Sequence, residues 1–258
     1  MGRVLLLFFI CSISASGQNS KQLKDSILKY KTINPSLAVE YGLKYEKLTA
    51  NQKPDKEKQN TYALLGEILL EMGLNASALD YLTRSVQIYS ALPKSEKNFP
   101  NIDQPPWVIL NIGSIYFRNK DYEKATEKYN QAINLFENSG SEDDKFFGLN
   151  TSNSNLGLIE EAKGNYEKAE EIYYKIYQRR LEKGKKEDIL YSIAQLITVK
   201  LLRGDELAAQ NKLKDAKSIY QTADDKQDNS LVTRNWGLVQ IVYGAIYQSL
   251  KKYDLALN

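Results

Sequence analysis

The stretch that decides the fold is residues 111–132, NIGSIYFRNKDYEKATEKYNQA, and its pattern returns at residues 155–176 as NLGLIEEAKGNYEKAEEIYYKI. Both stretches have glycine in third place, a tyrosine nine residues later, and an alanine three residues after that tyrosine. Partial copies surround Gly66 and Gly244, and a looser copy lies between residues 188 and 224. Repetition of this kind is typical of an array built from one recurring unit.

This pattern resembles the tetratricopeptide repeat (TPR), a helix-turn-helix unit of about 34 residues with Leu-Gly, Tyr, Gly-x-Tyr and Ala at fixed offsets. Adjacent glycine anchors lie 44–47 residues apart here, so the resemblance is to the long-helix branch of the family. That branch includes kinesin light chains, polarity adaptors that bind extended peptides, and bacterial quorum-peptide regulators. The resemblance implies an all-α fold: a right-handed superhelix of about six antiparallel helix pairs, with the A helices on its concave face.

The chain is predicted to consist of a leader and one array. Residues 1–17 match a secretory signal peptide, with a positive start at Arg3, an apolar run and a small-residue exit. Residues 18–258 are predicted to form the TPR array, with approximate repeats at 20–50, 57–91, 106–138, 142–183, 186–223 and 230–258, the last incomplete. We therefore expect an exported protein on the periplasmic or extracellular side.

Cys11 leaves one alternative open for the leader. It is the single cysteine of the chain and lies inside the apolar run. A lipoprotein signal would need a small residue just before the cysteine, where this chain has Ile10. Cleavage after Gly17 would leave a mature chain without any thiol, which is compatible with an oxidising compartment.

Small residues are predicted to mark the helix pairs. Glycine at the eighth place of each A helix should allow close approach, with an alanine of helix B as the matching contact; the pairs are Gly66 with Ala78, Gly113 with Ala125, Gly157 with Ala169, and Gly244 with Ala256. Other glycines are expected to end A helices in the left-handed conformation, namely Gly73, Gly164 and Gly204. Asn34 is expected to cap a helix that begins at Pro35.

Composition argues against catalysis. The chain has no histidine and no glycine-rich phosphate loop. The lack of histidine removes Ser-His and Cys-His nucleophiles, a common zinc ligand and the usual acid-base group near neutral pH. Neighbouring carboxylates such as Glu160 and Glu161 diverge by about 100° around a helix, which suits a solvated face. We predict no enzyme activity, no cofactor and no metal site. The net charge of +3 favours neither nucleic acid nor direct membrane insertion by this segment.

Helical register predicts which side chains face the concave groove. Asn111 and Asn155 occupy the same place in successive A helices, two residues before the glycine, and Gln195 lies near the equivalent place in the looser repeat. A ladder of amides, each both donor and acceptor, can hold the backbone of an extended peptide. Long-helix members of the family use asparagines in this way. The alternative is that each asparagine bonds a neighbouring helix.

Other groove positions follow from the same register. The candidate partner-binding residues beside the amides are Trp107, Leu110, Phe117 and Ser154, and the further groove-facing positions are Asn60, Ala63, Glu67, Leu70, Ser114, Thr151, Leu158, Leu238, Ile241 and Ala245. No lysine or arginine falls on the inner line, so a clamp for a C-terminal carboxylate is not predicted. Trp107 and Phe117 could form an apolar pocket, or could pack under the proline-rich connection of residues 93–106.

Two functions remain open at this stage. The first is a non-catalytic scaffold that binds a protein or an extended peptide in the groove. The second is the sensory input of a transmembrane histidine kinase or helix-turn-helix regulator, since the last repeat stops within its second helix and the output module would lie beyond residue 258. An apolar run of about 20 residues encoded downstream would favour the second.

Overall fold

The computed structural model describes residues 19–183, 185–222 and 230–249. These residues form eleven α-helices and no strand, as the sequence predicted: α1 (Ser20–Tyr30), α2 (Pro35–Thr49), α3 (Lys56–Glu71), α4 (Asn75–Ala91), α5 (Pro106–Arg118), α6 (Tyr122–Glu137), α7 (Glu142–Ala162), α8 (Tyr166–Lys183), α9 (Lys186–Leu202), α10 (Glu206–Gln221) and α11 (Ser230–Ser249). Each helix packs against the next, and the all-α superhelix expected from the repeat pattern is confirmed.

Local chemistry sets where these helices begin and end. Asn34 precedes α2, and its side-chain oxygen accepts a hydrogen bond from the backbone N–H of Leu37 at 3.1 Å. The predicted left-handed glycines are also confirmed: Gly73, Gly164 and Gly204 have φ of 78°, 79° and 80° directly after α3, α7 and α9. A residue with a side chain is strained in this conformation, so glycine favours the tight turns into α4, α8 and α10. The turn from α5 into α6 is the exception, because Lys120 adopts a φ of 61° there.

The glycine at the eighth place of the A helix receives a large side chain from the B helix. A Cβ on Gly66 would lie 2.5 Å from Leu82, one on Gly113 2.7 Å from the Tyr129 ring, and one on Gly157 2.4 Å from the Tyr173 ring. Each of these large residues lies one turn after the predicted alanine contact: Ala78, Ala125 and Ala169, all fully buried. The alanine therefore contributes to the close approach, but the larger residue fills the space over the glycine.

The longest connection, residues 92–105, is fixed to the helices on either side of it. The Tyr89 hydroxyl accepts from the backbone N–H of Phe99 at 3.0 Å and donates to its carbonyl at 3.1 Å. Ser90 donates to the carbonyl of Asp103, whose carboxylate pairs with the Lys97 ammonium at 3.1 Å. The extra length between the second and third repeats is therefore ordered surface structure.

Several predicted features lie outside the described residues. They are the signal peptide of residues 1–17, the final helix B with Tyr253 and Ala256, and the side chains of Ala245 and Tyr247. Among the helices that are described, none is long and apolar enough to cross a membrane.

Candidate functional site

Asn111 and Asn155 lie on α5 and α7, two A helices that contact each other. Both side chains are half-buried, and neither forms a hydrogen bond with any residue in the described part of the chain. The described residues therefore give no support to the alternative, in which each asparagine forms a hydrogen bond with a neighbouring helix. An amide that is held by packing but has free donors and acceptors is available to a ligand.

Gln195, at the equivalent place on α9, is held differently. It is only 9 % exposed, and its Nε2 donates to the Ser154 hydroxyl of α7. Its Oε1 is buried without a hydrogen-bond partner among the described residues. The third amide thus links two A helices, with one oxygen left as an acceptor.

Three of the residues that helical register places in the groove are buried, so they are not available to a ligand there. Leu110 is 5 % exposed and belongs to the apolar core, and Ser154 is 3 % exposed and bonded to Gln195. Leu70, also placed in the groove by register, is 6 % exposed. Successive A helices approach closely enough here to cover the side chains that point towards each other.

Trp107 and Phe117 are half-buried and pack against helices. The indole Nε1 of Trp107 donates to the Asp144 carboxylate of α7 at 3.0 Å, and its ring meets Phe136 of α6 edge-on, with centroids 4.7 Å apart. Phe117 is tilted against Tyr122, with centroids 5.7 Å apart. Trp107 therefore joins the third repeat to the fourth, and these contacts with α6 and α7 fix the orientation of its ring.

The remaining groove positions form a mainly polar or small surface. Asn60 and Glu67 are exposed, Ile241 is 70 % exposed, and the others are half-buried: Ala63, Ser114, Thr151, Leu158 and Leu238. Several hydroxyls are already engaged, since Thr151 donates to the carbonyl of Phe147 and Ser114 to that of Leu110. The polar side chains of the predicted set that have no hydrogen bond among the described residues are therefore Asn60, Glu67, Asn111 and Asn155.

Ionic networks join consecutive repeats away from these amides. The Glu46 carboxylate of α2 accepts from Tyr81 at 2.6 Å and from Arg84 of α4. Burial alone would raise the pKa of Glu46, but these two hydrogen bonds lower it below its usual range. Glu170 of α8 similarly binds Lys200, whose position in the repeat pattern normally carries an aromatic residue. In the sequence Lys200 stands out only as a departure from the pattern, because its carboxylate partner lies 30 residues away.

Two carboxyl groups near α8 carry a raised pKa because they are buried. Burial raises the pKa of Glu161, which accepts a hydrogen bond from the Tyr173 hydroxyl at 3.1 Å. Burial also raises the pKa of Asp188, only partly offset by the Arg180 charge. The described residues contain no group of three or more acidic, histidine or cysteine side chains placed to hold a metal ion.

Comparison with known proteins gives the class of this fold. Two family models, both described as the tetratricopeptide repeat, match residues 106–139 and 151–182. No curated protein matches the sequence. The two matched stretches, which include α5 and α6 and most of α7 and α8, are therefore tetratricopeptide repeats, and such repeats generally mediate protein–protein interactions.

Solved structures support the fold at low sequence identity. The apo form of RapI is similar with a TM-score of 0.64 and 11 % identity, over 90 % of this chain and 91 % of that one. Nearly identical TPR-like repeats from Podosopora anserina give 0.60 and 15 %, over 82 % and 100 %. BtubC (BKLC) from P. vanneervenii gives 0.57 and 17 %, over 91 % and 86 %.

Proposed function

We propose that this chain is a non-catalytic scaffold that binds an extended peptide or protein segment along its A helices. One observation carries the proposal: Asn111 and Asn155, at the same place in adjacent repeats, are half-buried amides without hydrogen bonds to the described residues. Each could donate to a backbone carbonyl and accept from a backbone N–H of the bound chain. Such contacts hold a peptide without reading its side chains, and specificity would come from neighbouring groups.

The test uses a peptide library presented to the mature chain and to the double variant Asn111→Ala/Asn155→Ala. Loss of a desolvated hydrogen bond costs about 1–3 kcal/mol, so the double variant should bind the selected peptides more than about tenfold more weakly. Its melting temperature should stay close to that of the wild type, because the two amides form no hydrogen bond with the described residues. Unchanged affinity would remove these residues from the site, and a destabilised variant would show that the amides are structural.

Asn153→Ala is the matched control. Asn153 is also a half-buried asparagine of α7, but its Nδ2 donates to the carbonyl of Leu149 at 2.7 Å. Two residues before Asn155, it points to a different side of the helix. Peptide affinity should not change in this variant.

We also propose that the scaffold works outside the cytoplasm, on the strength of the leader sequence in residues 1–17. A reporter enzyme that is active only after export, fused after Gln18, should become active. An inactive reporter that accumulates inside the cell would overturn this location. The sensory-input alternative makes the same proposal about the groove and differs only in adding an output module beyond residue 258.

A further inference from the structure

The side-chain amide of Gln195 is held between two A helices by one residue of the preceding repeat. Its Nε2 donates to the Ser154 hydroxyl of α7, and both residues are buried. Asn111 and Asn155, at the equivalent place on α5 and α7, form no hydrogen bond with the described residues. One place in the repeat therefore carries two free amides and a third that is engaged.

The residue that makes this difference lies three places before the glycine of the preceding A helix. Ser154 has that place on α7, and the equivalent residues of α3 and α5 are Ala63 and Leu110. Since α3 contacts α5 and α5 contacts α7, the same register directs Ala63 towards Asn111 and Leu110 towards Asn155. Neither alanine nor leucine has a side-chain hydrogen-bonding group. Only the third amide therefore meets a partner on the preceding A helix.

The buried position gives Gln195 a single hydrogen bond. Its Oε1 has no partner among the described residues, whereas the backbone of an extended peptide offers an amide both a donor and an acceptor. Without the Ser154 hydroxyl, both ends of the amide would be buried and unpaired, which is less favourable than contact with water or a ligand. The Ser154 hydroxyl is therefore the group that favours the buried position of Gln195.

We infer that Ser154 sets the length of peptide that the groove holds, because it withholds the third amide of the ladder. This inference rests on the proposed function, and Ser154 is a positioning residue that acts through Gln195. Axes of packed helices lie about 8–10 Å apart and an extended chain rises about 3.3 Å per residue, so each repeat spans about three peptide residues. The wild type holds a peptide at Asn111 and Asn155, and a released Gln195 extends the contact by that length towards α9.

Peptides of two lengths test the inference. A peptide selected on the wild-type chain is lengthened by three alanines at one end or at the other, and the Kd of each form is measured for the wild type and for Ser154→Ala. Lengthening should leave the affinity of the wild type almost unchanged. In Ser154→Ala, lengthening at one of the two ends should improve the affinity about fivefold, the equivalent of one further hydrogen bond. An equal gain in the wild type, or no gain in the variant, would overturn the inference.

Ser152→Ala is the matched control. Ser152 is another buried serine of α7, but its hydroxyl has no hydrogen bond with the described residues. Lengthened peptides should bind this variant as they bind the wild type, and a gain here would contradict the role given to Ser154. Gln195→Asn is a second test variant that keeps Ser154. Its side chain is one methylene shorter and should no longer reach Ser154, so the same gain on lengthening is expected.

Exchange of side-chain amide protons in the free protein, measured by NMR, tests the position of Gln195 without any peptide. In the wild type the Gln195 Nε2 protons should exchange more slowly than the Nδ2 protons of Asn111 and Asn155, and in Ser154→Ala the three rates should become similar. Similar rates in the wild type would overturn the inference. This readout also separates the two failures: normal binding by Asn111→Ala/Asn155→Ala rejects the proposed function, whereas the exchange of Gln195 depends only on its bond to Ser154.

Discussion

The backbone of Gly157 lies directly under the ring of Tyr173: a Cβ on this glycine would be 2.4 Å from the ring carbon Cε1. Real Cβ atoms do not approach another carbon this closely, so the ring or the helix would have to move. Tyr173 is fully buried, and its hydroxyl is held by Glu161 at 3.1 Å. The glycine is therefore required by the tyrosine that fills the space above it.

Gly157→Ala should destabilise the protein although alanine is the better helix former. Overpacking against the Tyr173 ring is expected to cost about 1–3 kcal/mol in the free energy of unfolding, measured by urea denaturation. Gly237→Ala is the control, because Gly237 also lies within a helix but has no heavy atom within 4 Å of its notional Cβ. That variant should gain up to about 1 kcal/mol. Equal effects of the two substitutions would contradict the packing argument.

Arg84→Ala should loosen the junction between the first two repeats. Its guanidinium donates to the Glu46 carboxylate and, at 2.9 Å, to the Tyr62 hydroxyl, and it lies 4.4 Å from the centre of the Tyr62 ring. About a third of the Arg84 side chain is exposed, so we expect the free energy of unfolding to fall by about 1–2 kcal/mol. Arg84→Lys should restore only part of it, since an ammonium lacks the planar fork.

Thermal unfolding measures the Arg84 effect, with Arg179→Ala as the control. Arg179 is exposed on α8 and has no ion pair or hydrogen bond within the described residues. Its removal should change the free energy of unfolding by no more than about 0.5 kcal/mol. If Arg84→Ala changes the free energy of unfolding as little as Arg179→Ala does, the network around Glu46 contributes nothing measurable to stability.

Glu161→Gln should stabilise the protein at pH 7 and have little effect at pH 4. Burial raises the pKa of Glu161 above its ordinary value of 4.5, so the folded state favours the protonated carboxyl. The protonated carboxyl of Glu161 stabilises the folded state fully below pH 4.5, and this stabilisation is lost as the pH rises through the folded-state pKa. Glutamine keeps the acceptor for Tyr173 without the charge, and the melting temperature at pH 7 should rise by about 1–3 °C.

The adjacent Glu160 gives a control of opposite sign. Burial raises the pKa of Glu160, but hydrogen bonds from Asn165 and Lys168 outweigh it and lower the pKa below the ordinary 4.5. The ionised carboxylate of Glu160 therefore stabilises the folded state above pH 4.5, and this stabilisation is lost as the pH falls through the folded-state pKa. Glu160→Gln should lower the melting temperature at pH 7. If the melting temperature rises in both variants, the effect comes from removing a negative charge and not from the burial of Glu161.

Much of the fold could be predicted from single residues because their effects are local. Asn34 caps α2 through a hydrogen bond to an N–H three residues away, and Gly164 turns the chain by its own φ of 79°. The sequence also pointed to Asn111 and Asn155, since two neighbouring repeats carry them at one place, but it left open whether they bond a neighbouring helix. Periodicity and turn chemistry are properties of short segments, so the sequence by itself determined the helices, their order and their pairing.

Burial and partner choice were decided by the tertiary structure. Helical register gives the direction of Leu110 and Ser154 relative to their own helices, but the angle and distance of the next helix bury both. The pairing of Lys200 with Glu170, and the placement of Tyr173 over Gly157, likewise join segments that no local pattern connects. Whether a side chain on an A helix faces a ligand or another helix depends on how closely successive repeats stack, and that distance is set by the packed array as a whole.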